Sequence, residues 1–271
     1  MTGVVEVMDP SYYLSLLHCD NMLKEQQRIT SKVTQPIEKP EVMFWRYDSI
    51  GIILGCSQRL SDQQITLAEQ YELPWIRRSS GGGAVLAGPW TLSVTLFLPI
   101  KHTVAKGNII GLFSWLEDIW FKVLAENNVD CRAVDKDMIV QSKDYAKKNK
   151  LEWACYGSLS HGEIVCNQGQ KLVGIAQIRK ATGVTLVSGL NLFPFDWQPL
   201  SAVFNNNNNN INNSESAALL ARNNSYCSQL TSLSIDKLVP KIIKSFMDIL
   251  PSDFTASPIP NKQCETLIRN K

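Results

Sequence analysis

The chain has 271 residues, of which 44% are hydrophobic and 19% are charged, and its formal net charge is +2. This composition is typical of a globular protein, and the length suffices for one large domain or two small ones. The charge is small and no basic run is interleaved with aromatic residues, so we expect no nucleic-acid binding. The apolar runs fall short of the roughly 20 residues that a membrane helix needs, and we expect no secretory signal. We therefore predict a cytoplasmic protein that binds no membrane.

The apolar spacing predicts helices and strands along the whole chain. The first half predicts an amphipathic opening helix over 11–29, a pair of strands over 42–47 and 50–54, and a short helix over 63–71. A short strand over 74–78 and a central strand over 91–98 follow. The second half predicts a long amphipathic helix over 109–127 and a last helix over 233–250. Between them it predicts four strands, over 133–141, 163–166, 171–177 and 184–192. Gly169-Gln170 is the expected hairpin tip between two of these strands. The pattern predicts an α+β fold in which mixed or antiparallel β-sheets are flanked by helices.

Residues 205–213 form an almost pure asparagine tract, interrupted only by Ile211. Such a segment cannot bury enough apolar surface to offset the entropy of ordering, so we predict a disordered loop. The residues around it, 1–204 and 226–254, are expected to form a single domain. Residues 255–271 are expected to form a C-terminal tail.

A glycine-rich segment gives the first indication of chemistry. It reads Arg77-Arg78-Ser79-Ser80-Gly81-Gly82-Gly83-Ala84-Val85 and follows a predicted short strand. Consecutive glycines let backbone N–H groups approach a ligand closely, and the two arginines add positive charge beside them. The segment lacks the Lys-Ser/Thr that ends a phosphate loop and does not match the GxGxxG dinucleotide pattern. It favours a site for an acyl carbonyl, a phosphate or an adenylate over a plain flexible turn.

The same segment resembles the RRxSGGGAV signature of the biotin/lipoate ligase and lipoyl/octanoyl transferase superfamily. A second stretch, Gly169 to Arg179 (GQKLVGIAQIR), resembles that family's GxKxxGxAQxR motif. A third, Trp153 to Glu163 (WACYGSLSHGE), is similar to the cysteine segment of its octanoyl/lipoyl transferase branch. The likeness covers residues 11–195. It implies that the predicted domain has the lipoate ligase/biotin ligase catalytic fold, of the lipoate–protein ligase A-like type.

The resemblance also implies roles for particular residues. Cys155 would take the acyl group as a thioester, since a thiolate is both a good nucleophile and a good leaving group. Lys171 would contact the acyl carbonyl, where a fixed ammonium stabilises the negative charge that develops on oxygen. The implied substrate contacts come from the glycine-rich segment and the second motif: Arg77, Arg78, Ser80, Gly81, Gly82, Gly83, Ala84, Val85, Gly174, Ala176 and Gln177.

Outside these motifs the same residue types have plainer interpretations. A lysine after a Gly-Gln turn is usually a solvated surface residue, and a cysteine between aromatic residues usually packs in a core. Cys166, within a predicted strand, fits the second description and is the weaker nucleophile candidate. His161 is a further candidate for a base, although the spacing of the histidines defines no Cys-His pair.

The chain departs from the ligase pattern in two places. Leu86-Ala87-Gly88-Pro89-Trp90 stands where ligases commonly carry a His-Asp or similar polar pair. Ligases often carry Asn-Asp-Ile before the lysine, whereas only Asp137 is available here. These departures favour thioester transfer, which requires no cofactor or metal, over activation that uses ATP and Mg²⁺.

The resemblance therefore predicts an acyltransferase that moves an octanoyl or lipoyl group through Cys155 to a lysine of a lipoyl-domain protein. The implied donor is acyl carrier protein or the glycine-cleavage H protein, and the implied acceptors are lipoyl domains of 2-oxoacid dehydrogenases. An ATP-dependent lipoate–protein ligase acting through lipoyl-adenylate, with Cys155 merely structural, is the alternative. A non-catalytic acyl-carrier-binding module fits less well, because the glycine-rich segment, Cys155 and Lys171 are all retained.

Overall fold

The computed structural model of the chain describes residues 10–205 and 212–256. The strands are β1 (Leu17–Asp20), β2 (Glu41–Tyr47), β3 (Gly51–Leu54), β4 (Trp75–Arg77), β5 (Val85–Ala87), β6 (Thr91–Leu98), β7 (Arg132–Ala133), β8 (Ile164–Val165), β9 (Lys171–Lys180) and β10 (Gly183–Asn191). The helices are α1 (Pro10–Ser15), α2 (Met22–Val33), α3 (Asp62–Gln70), α4 (Ile109–Glu126), α5 (Lys136–Lys148), α6 (Gln198–Phe204), α7 (Asn213–Asn223), α8 (Cys227–Leu230) and α9 (Ile235–Ile249).

The strands of the described residues form two sheets. The larger has seven strands in the order β1-β2-β6-β10-β9-β8-β7, and the smaller has three in the order β4-β3-β5. The pairs β1–β2 and β3–β4 are parallel, whereas the other pairings are antiparallel. Helices flank the sheets, so the predicted α+β class with mixed sheets is confirmed.

Helix α4 packs on one face of the larger sheet together with α1 and α9. It begins because the side chain of Asn108 accepts a hydrogen bond from the backbone N–H of Gly111, and it buries Leu112, Leu116, Ile119, Trp120, Val123 and Leu124. The predicted helix over 109–127 is thereby confirmed, although Ile109 at its start is 56% exposed.

The opposite face of the larger sheet is covered by α2 and by the smaller sheet. Successive residues of a strand point to opposite faces, so Phe44 joins the core beneath α4 while Trp45 packs with Met22 of α2 and Ile53 of β3. The functional site described below lies where this second layer meets the edge of the larger sheet.

The predicted opening helix over 11–29 is wrong, because a strand interrupts it. Residues Leu17–Asp20 pair in parallel with Phe44–Tyr47, and the chain then starts α2 with Asn21 as its N-cap. The apolar residues of this stretch have a spacing that fits a helix. Hydrogen bonding to β2 nevertheless stabilises the extended form, and such a tertiary contact cannot be predicted from local spacing.

The strands predicted at 42–47 and 50–54 exist, but they do not pair with each other. β2 pairs with β6 in the larger sheet, whereas β3 pairs with β4 and β5 in the smaller one.

The strand predicted over 133–141 is wrong beyond Ala133. Asp135 accepts a hydrogen bond from the N–H of Met138 and starts α5, so capping decides this segment in favour of a helix.

The other predicted strands and helices are confirmed, with ends that shift by a few residues. Gly169-Gln170 forms the predicted hairpin tip, where the N–H of Cys166 donates to the carbonyl of Gln170. Of the asparagine tract, residues 206–211 lie outside the described residues, while Asn212 caps α7. Most of the predicted tail, 257–271, also lies outside them. Across the two described ranges, no helix combines the length and apolar character needed to span a bilayer.

Candidate active site

The glycine-rich loop connects β4 to β5 and lies against the segment that carries Cys155. Gly82 has a φ of 99°, a conformation that residues with a side chain rarely adopt. A Cβ atom at Gly83 would lie 2.6 Å from the backbone of Ala154 and Cys155. Glycine is therefore required at Gly83 for the close approach of the two backbones.

Backbone hydrogen bonds fix the cysteine segment to this loop. The N–H of Ala84 donates to the carbonyl of Trp153 at 2.7 Å, and the N–H of Cys155 donates to the carbonyl of Ala84 at 2.9 Å. The amide of Gln58 adds a third bond, with its Nε2 donating to the carbonyl of Trp153 at 2.9 Å. Gln58 is absent from the predicted site residues, although its place after a buried strand was a usable signal.

The Cys155 thiol is free and half-buried, and the side chain of Arg78 lies beside it. Arg78 Nη2 lies 4.0 Å from Cys155 Sγ and donates to the carbonyls of Gly81 at 2.8 Å and Gly83 at 3.3 Å. A guanidinium held in this way places a hydrogen-bond donor beside the sulfur. Arg77, the other arginine of the loop, is exposed on β4.

Cys155 lies at the junction of two cavities. The outer cleft has a volume of about 670 Å³, and its lining includes the loop glycines, His161, Glu163, Gln177 and Arg179. The inner chamber has a volume of about 60 Å³, and its walls are formed largely by Ile53, Val85, Ala87, Ile178 and Val187. A thiol between an open cleft that carries charged side chains and a narrow apolar chamber is suited to hold a group with a reactive carbonyl and an apolar chain.

Lys171 is buried against the backbone of the cysteine segment and lines neither the outer cleft nor the inner chamber. Its Nζ lies 2.5 Å from Glu163 Oε1, 2.9 Å from the carbonyl oxygen of Cys155 and 3.3 Å from that of Ser158. An ammonium has three hydrogens, and these three acceptors match them. In this arrangement Lys171 holds the cysteine segment in place, and a contact to a substrate carbonyl requires it to give up one of the three.

Glu163 is buried beside Lys171 and is not among the site residues predicted from the sequence. Burial raises the pKa of its carboxyl, while the adjacent Lys171 ammonium lowers it. Its second oxygen accepts from the N–H of Ser160 at 2.9 Å. The Ser-x-x-Glu spacing after the cysteine was the available signal for this residue.

Asn224 and Ser225, which follow α7, form hydrogen bonds to the cysteine segment and to Lys171. Asn224, 2% exposed, donates through Nδ2 to the carbonyl of Tyr156, and the N–H of Ser225 donates to the carbonyl of Lys171 at 2.9 Å. No motif in the sequence pointed to Asn224, because its role depends on contacts made across the fold.

The remaining predicted site residues fall into separate groups. Ser80, Val85, Gly174 and Ala176 line the inner chamber. Gln177 borders the outer cleft, and its amide atoms are buried without a hydrogen-bond partner in the described parts of the chain. Asp137 is exposed in the first turn of α5 and lines neither the outer cleft nor the inner chamber.

The two sheets and the glycine-rich loop that fixes the cysteine segment define a catalytic domain of the lipoate and biotin ligase type. Residues 20–247 match the family model of the lipoyl protein ligase A/B catalytic domain, and the chain belongs to this family. It is on that ground an enzyme of lipoate attachment to proteins. No curated protein matches the chain significantly in sequence.

Solved structures agree with this fold at low sequence identity. A lipoate-protein ligase A bound with ATP is 17% identical, with a TM-score of 0.61, and the match covers 95% of this chain and 88% of that one. The bipartite lipoate protein ligase of Thermoplasma acidophilum, studied with its E2 lipoyl domain, is 18% identical, with a TM-score of 0.63 and coverages of 96% and 86%. A T. acidophilum protein with bound lipoic acid is 17% identical, with a TM-score of 0.60 and coverages of 95% and 88%.

Proposed function

We propose that this enzyme transfers an octanoyl or lipoyl group from a carrier protein to a lysine of a lipoyl-domain protein, through a thioester on Cys155. The observation that carries the proposal is the place of the thiol. Cys155 Sγ lies where the outer cleft meets the inner chamber, 4.0 Å from the Arg78 guanidinium. A cysteine that served only packing would have no need of a neighbouring cation or of two cavities.

The chemistry consists of two acyl exchanges. In the first, the Cys155 thiolate attacks the carbonyl carbon of the donor's acyl bond and a new C–S bond forms. The leaving group, which is the sulfur of acyl carrier protein or the lysine nitrogen of the H protein, takes up the proton that Cys155 lost. In the second, the lysine amine of the acceptor attacks the Cys155 thioester, an amide bond forms, and the thiol of Cys155 is restored. Each step exchanges one acyl bond for another, so no nucleotide is consumed.

The chain's own residues divide this work. The inner chamber would hold the apolar chain, and the outer cleft would admit first the donor and then the acceptor lysine. Arg78 Nη2 lies 4.0 Å from the sulfur, so it would stabilise charge that develops on the carbonyl oxygen of an acyl group attached there. Acyl carrier protein or the H protein as donor, and lipoyl domains as acceptor, fit a cleft open enough to admit a protein-borne arm.

The ATP-dependent ligase is the second candidate, and it is favoured by the solved relatives that carry ATP or lipoic acid. The backbone N–H groups of Gly81–Gly83 and the Arg78 side chain fit an adenylate phosphate, so the loop is compatible with nucleotide. When bound, ATP with Mg²⁺ would supply activation of the free acid. In that case Cys155 would be a packing residue.

One experiment separates the two candidates. The enzyme is mixed with octanoyl-carrier alone, and its intact mass is measured before and after hydroxylamine. We expect the gain of one octanoyl group that hydroxylamine removes and that maps to the Trp153–Tyr156 peptide, and Cys155→Ser should neither accumulate it nor transfer well. Full activity of Cys155→Ser together with an absolute need for ATP would establish the ligase instead.

A further inference from the structure

The floor of the inner chamber crosses three strands of the larger sheet. Gly174 on β9 is paired with Gly189 on β10, and Gly189 is paired with Ser93 on β6. All three residues line the chamber. Small residues at three neighbouring positions leave a channel across the strands, which the hydroxyl of Tyr156 shares, since it donates to the carbonyl of Gly189 at 3.4 Å.

Cys155 marks one end of this channel. The chamber reaches the thiol at the β9 side, where Lys171 of β9 donates to the carbonyl of Cys155 at 2.9 Å. A chain attached to the sulfur is therefore directed across β9 and β10 towards β6.

Tyr47 lines the chamber from β2, two residues along that strand from Trp45, which is the residue paired with Ser93. Tyr47 is 2% exposed. Its hydroxyl donates to Glu25 Oε2, while Glu25 Oε1 accepts from Ser93 Oγ at 2.6 Å and Thr95 Oγ1 at 3.3 Å. Glu25 lies on α2 and is fully buried, so the Tyr47 ring is held from both the sheet and the helix.

The strand order gives the span of the channel across the sheet. From β9 to β2 there are three strand spacings, or about 14 Å. An extended medium-length acyl thioester, with the contact radii at its two ends, occupies a comparable distance. We propose that Tyr47 is the end wall of the acyl chamber and that it sets the longest acyl chain the enzyme accepts, with Gly189 keeping the channel open midway. This inference rests on the proposed function, since it takes Cys155 as the point of attachment.

Two substitutions change the channel in opposite directions. Tyr47→Ala removes the end wall and should move the preferred chain from octanoyl to decanoyl or longer. Gly189→Ala adds one methyl group to the floor, where the nearest atoms are 3.5 and 3.6 Å away and the added atom causes no clash with the fold. It should reduce affinity for octanoate by roughly tenfold or more while butanoate is retained, because pockets discriminate strongly at the level of one methylene.

The matched control is Tyr47→Phe. It keeps the ring that forms the wall and loses only the hydroxyl, so its chain-length preference should equal that of the wild type. Should Tyr47→Ala fold poorly, Gly189→Ala alone still tests the channel, since it adds volume without removing a core side chain.

The test measures binding of butanoate, hexanoate, octanoate, decanoate and dodecanoate by calorimetry, and acylation of Cys155 by the matching pantetheine thioesters. A longer optimum for Tyr47→Ala, a shorter one for Gly189→Ala and an unchanged one for Tyr47→Phe support the inference. Binding profiles that do not move in either variant overturn it, even if Cys155 is acylated. Profiles that move while Cys155 is never acylated support the chain-length role and count against the transfer mechanism alone.

Discussion

Lys171 Nζ lies 2.5 Å from Glu163 Oε1, and the two side chains are 1% and 2% exposed. A pair buried to this extent balances its charges only while both partners are present. We therefore expect Lys171→Met to lower the free energy of unfolding by about 3–5 kcal/mol, since it leaves the Glu163 carboxyl alone. The double variant Lys171→Met/Glu163→Leu should regain most of that stability, as measured by urea denaturation.

Activity in the same double variant separates structure from chemistry. If Lys171 acts on the substrate carbonyl, acyl transfer stays lost when the fold is restored. A double variant that regains wild-type transfer would show that Lys171 only supports the cysteine segment.

Arg78 and Arg77 are adjacent in the chain but differ in their surroundings. Arg78 faces the Cys155 sulfur, whereas Arg77 is exposed on β4. Arg78→Met should slow formation of the acyl-enzyme on the order of a hundredfold, the usual effect of losing one stabilising contact to developing charge. Arg77→Met is the matched control and should acylate at close to the wild-type rate in a single-turnover assay. Equal rates for the two variants would remove Arg78 from the mechanism.

The loop glycines offer a second matched pair. A Cβ atom at Gly83 would lie 2.6 Å from the cysteine backbone, whereas one at Gly81 would meet nothing within 4 Å. Gly83→Ala should destabilise the protein by about 1–3 kcal/mol and reduce acylation, because the two backbones must separate. Gly81→Ala should match the wild type in melting temperature. If Gly83→Ala left stability and acylation unchanged, the loop and the cysteine segment could move apart without loss of free energy or activity.

Glu25 gives the protein a pH dependence of known sign. Burial raises the pKa of this carboxyl from its ordinary value of 4.5, against the opposing effect of hydrogen bonds from Ser93 and Tyr47. The folded state thus binds the proton more tightly than the unfolded state. The contribution of Glu25 to stability is fully present below pH 4.5 and is lost as the pH rises through the folded-state pKa.

Glu25→Gln should remove this loss. Melting temperatures measured from pH 4.5 upward should show the variant gaining on the wild type as the pH rises. The exposed carboxyl Glu69 of α3 supplies the control, since Glu69→Gln should leave the profile of the wild type unchanged. Parallel profiles for Glu25→Gln and the wild type would show that the buried carboxyl does not titrate in this way.

The asparagine tract has a boundary that the structure makes testable. Exchange of residues 206–211 for a Gly-Ser linker of equal length should leave the melting temperature and activity nearly unchanged, since the asparagine-rich sequence is predicted to bury little apolar surface. Asn212 is different because its side chain accepts from the N–H of Glu215 and starts α7. The additional change Asn212→Ala should cost about 1 kcal/mol. A large loss from the first exchange alone would contradict the prediction of a disordered loop.

Motifs predicted the parts of this protein that depend on local sequence. The glycine-rich segment and Cys155 were identifiable because they resemble motifs of the lipoate ligase and transferase family, and the structure brings the two together. The β9–β10 hairpin was equally accessible, since its turn and its strands are contiguous. The opening helix was mispredicted because β1 exists only through its pairing with β2, far along the chain.

The supporting contacts of the site were out of reach for the same reason. Tyr47 and Glu25 meet across the layer between helix α2 and the larger sheet, and neither lies in a recognisable motif. Of the Lys171–Glu163 pair, only the lysine was predicted as a site residue, because it belongs to a motif. Its burial and its three acceptors follow only from how the cysteine segment folds over it.

The brace from Asn224 and Ser225 has a consequence for how the protein is made. Cys155 and Lys171 leave the ribosome well before the segment whose backbone and side chain secure them. The surroundings of the thiol are therefore completed only after the asparagine tract and α7 have been synthesised. A nascent chain that has folded both sheets would still hold a loosely supported cysteine, so competence for acylation should arise late in translation, after most of the fold has formed.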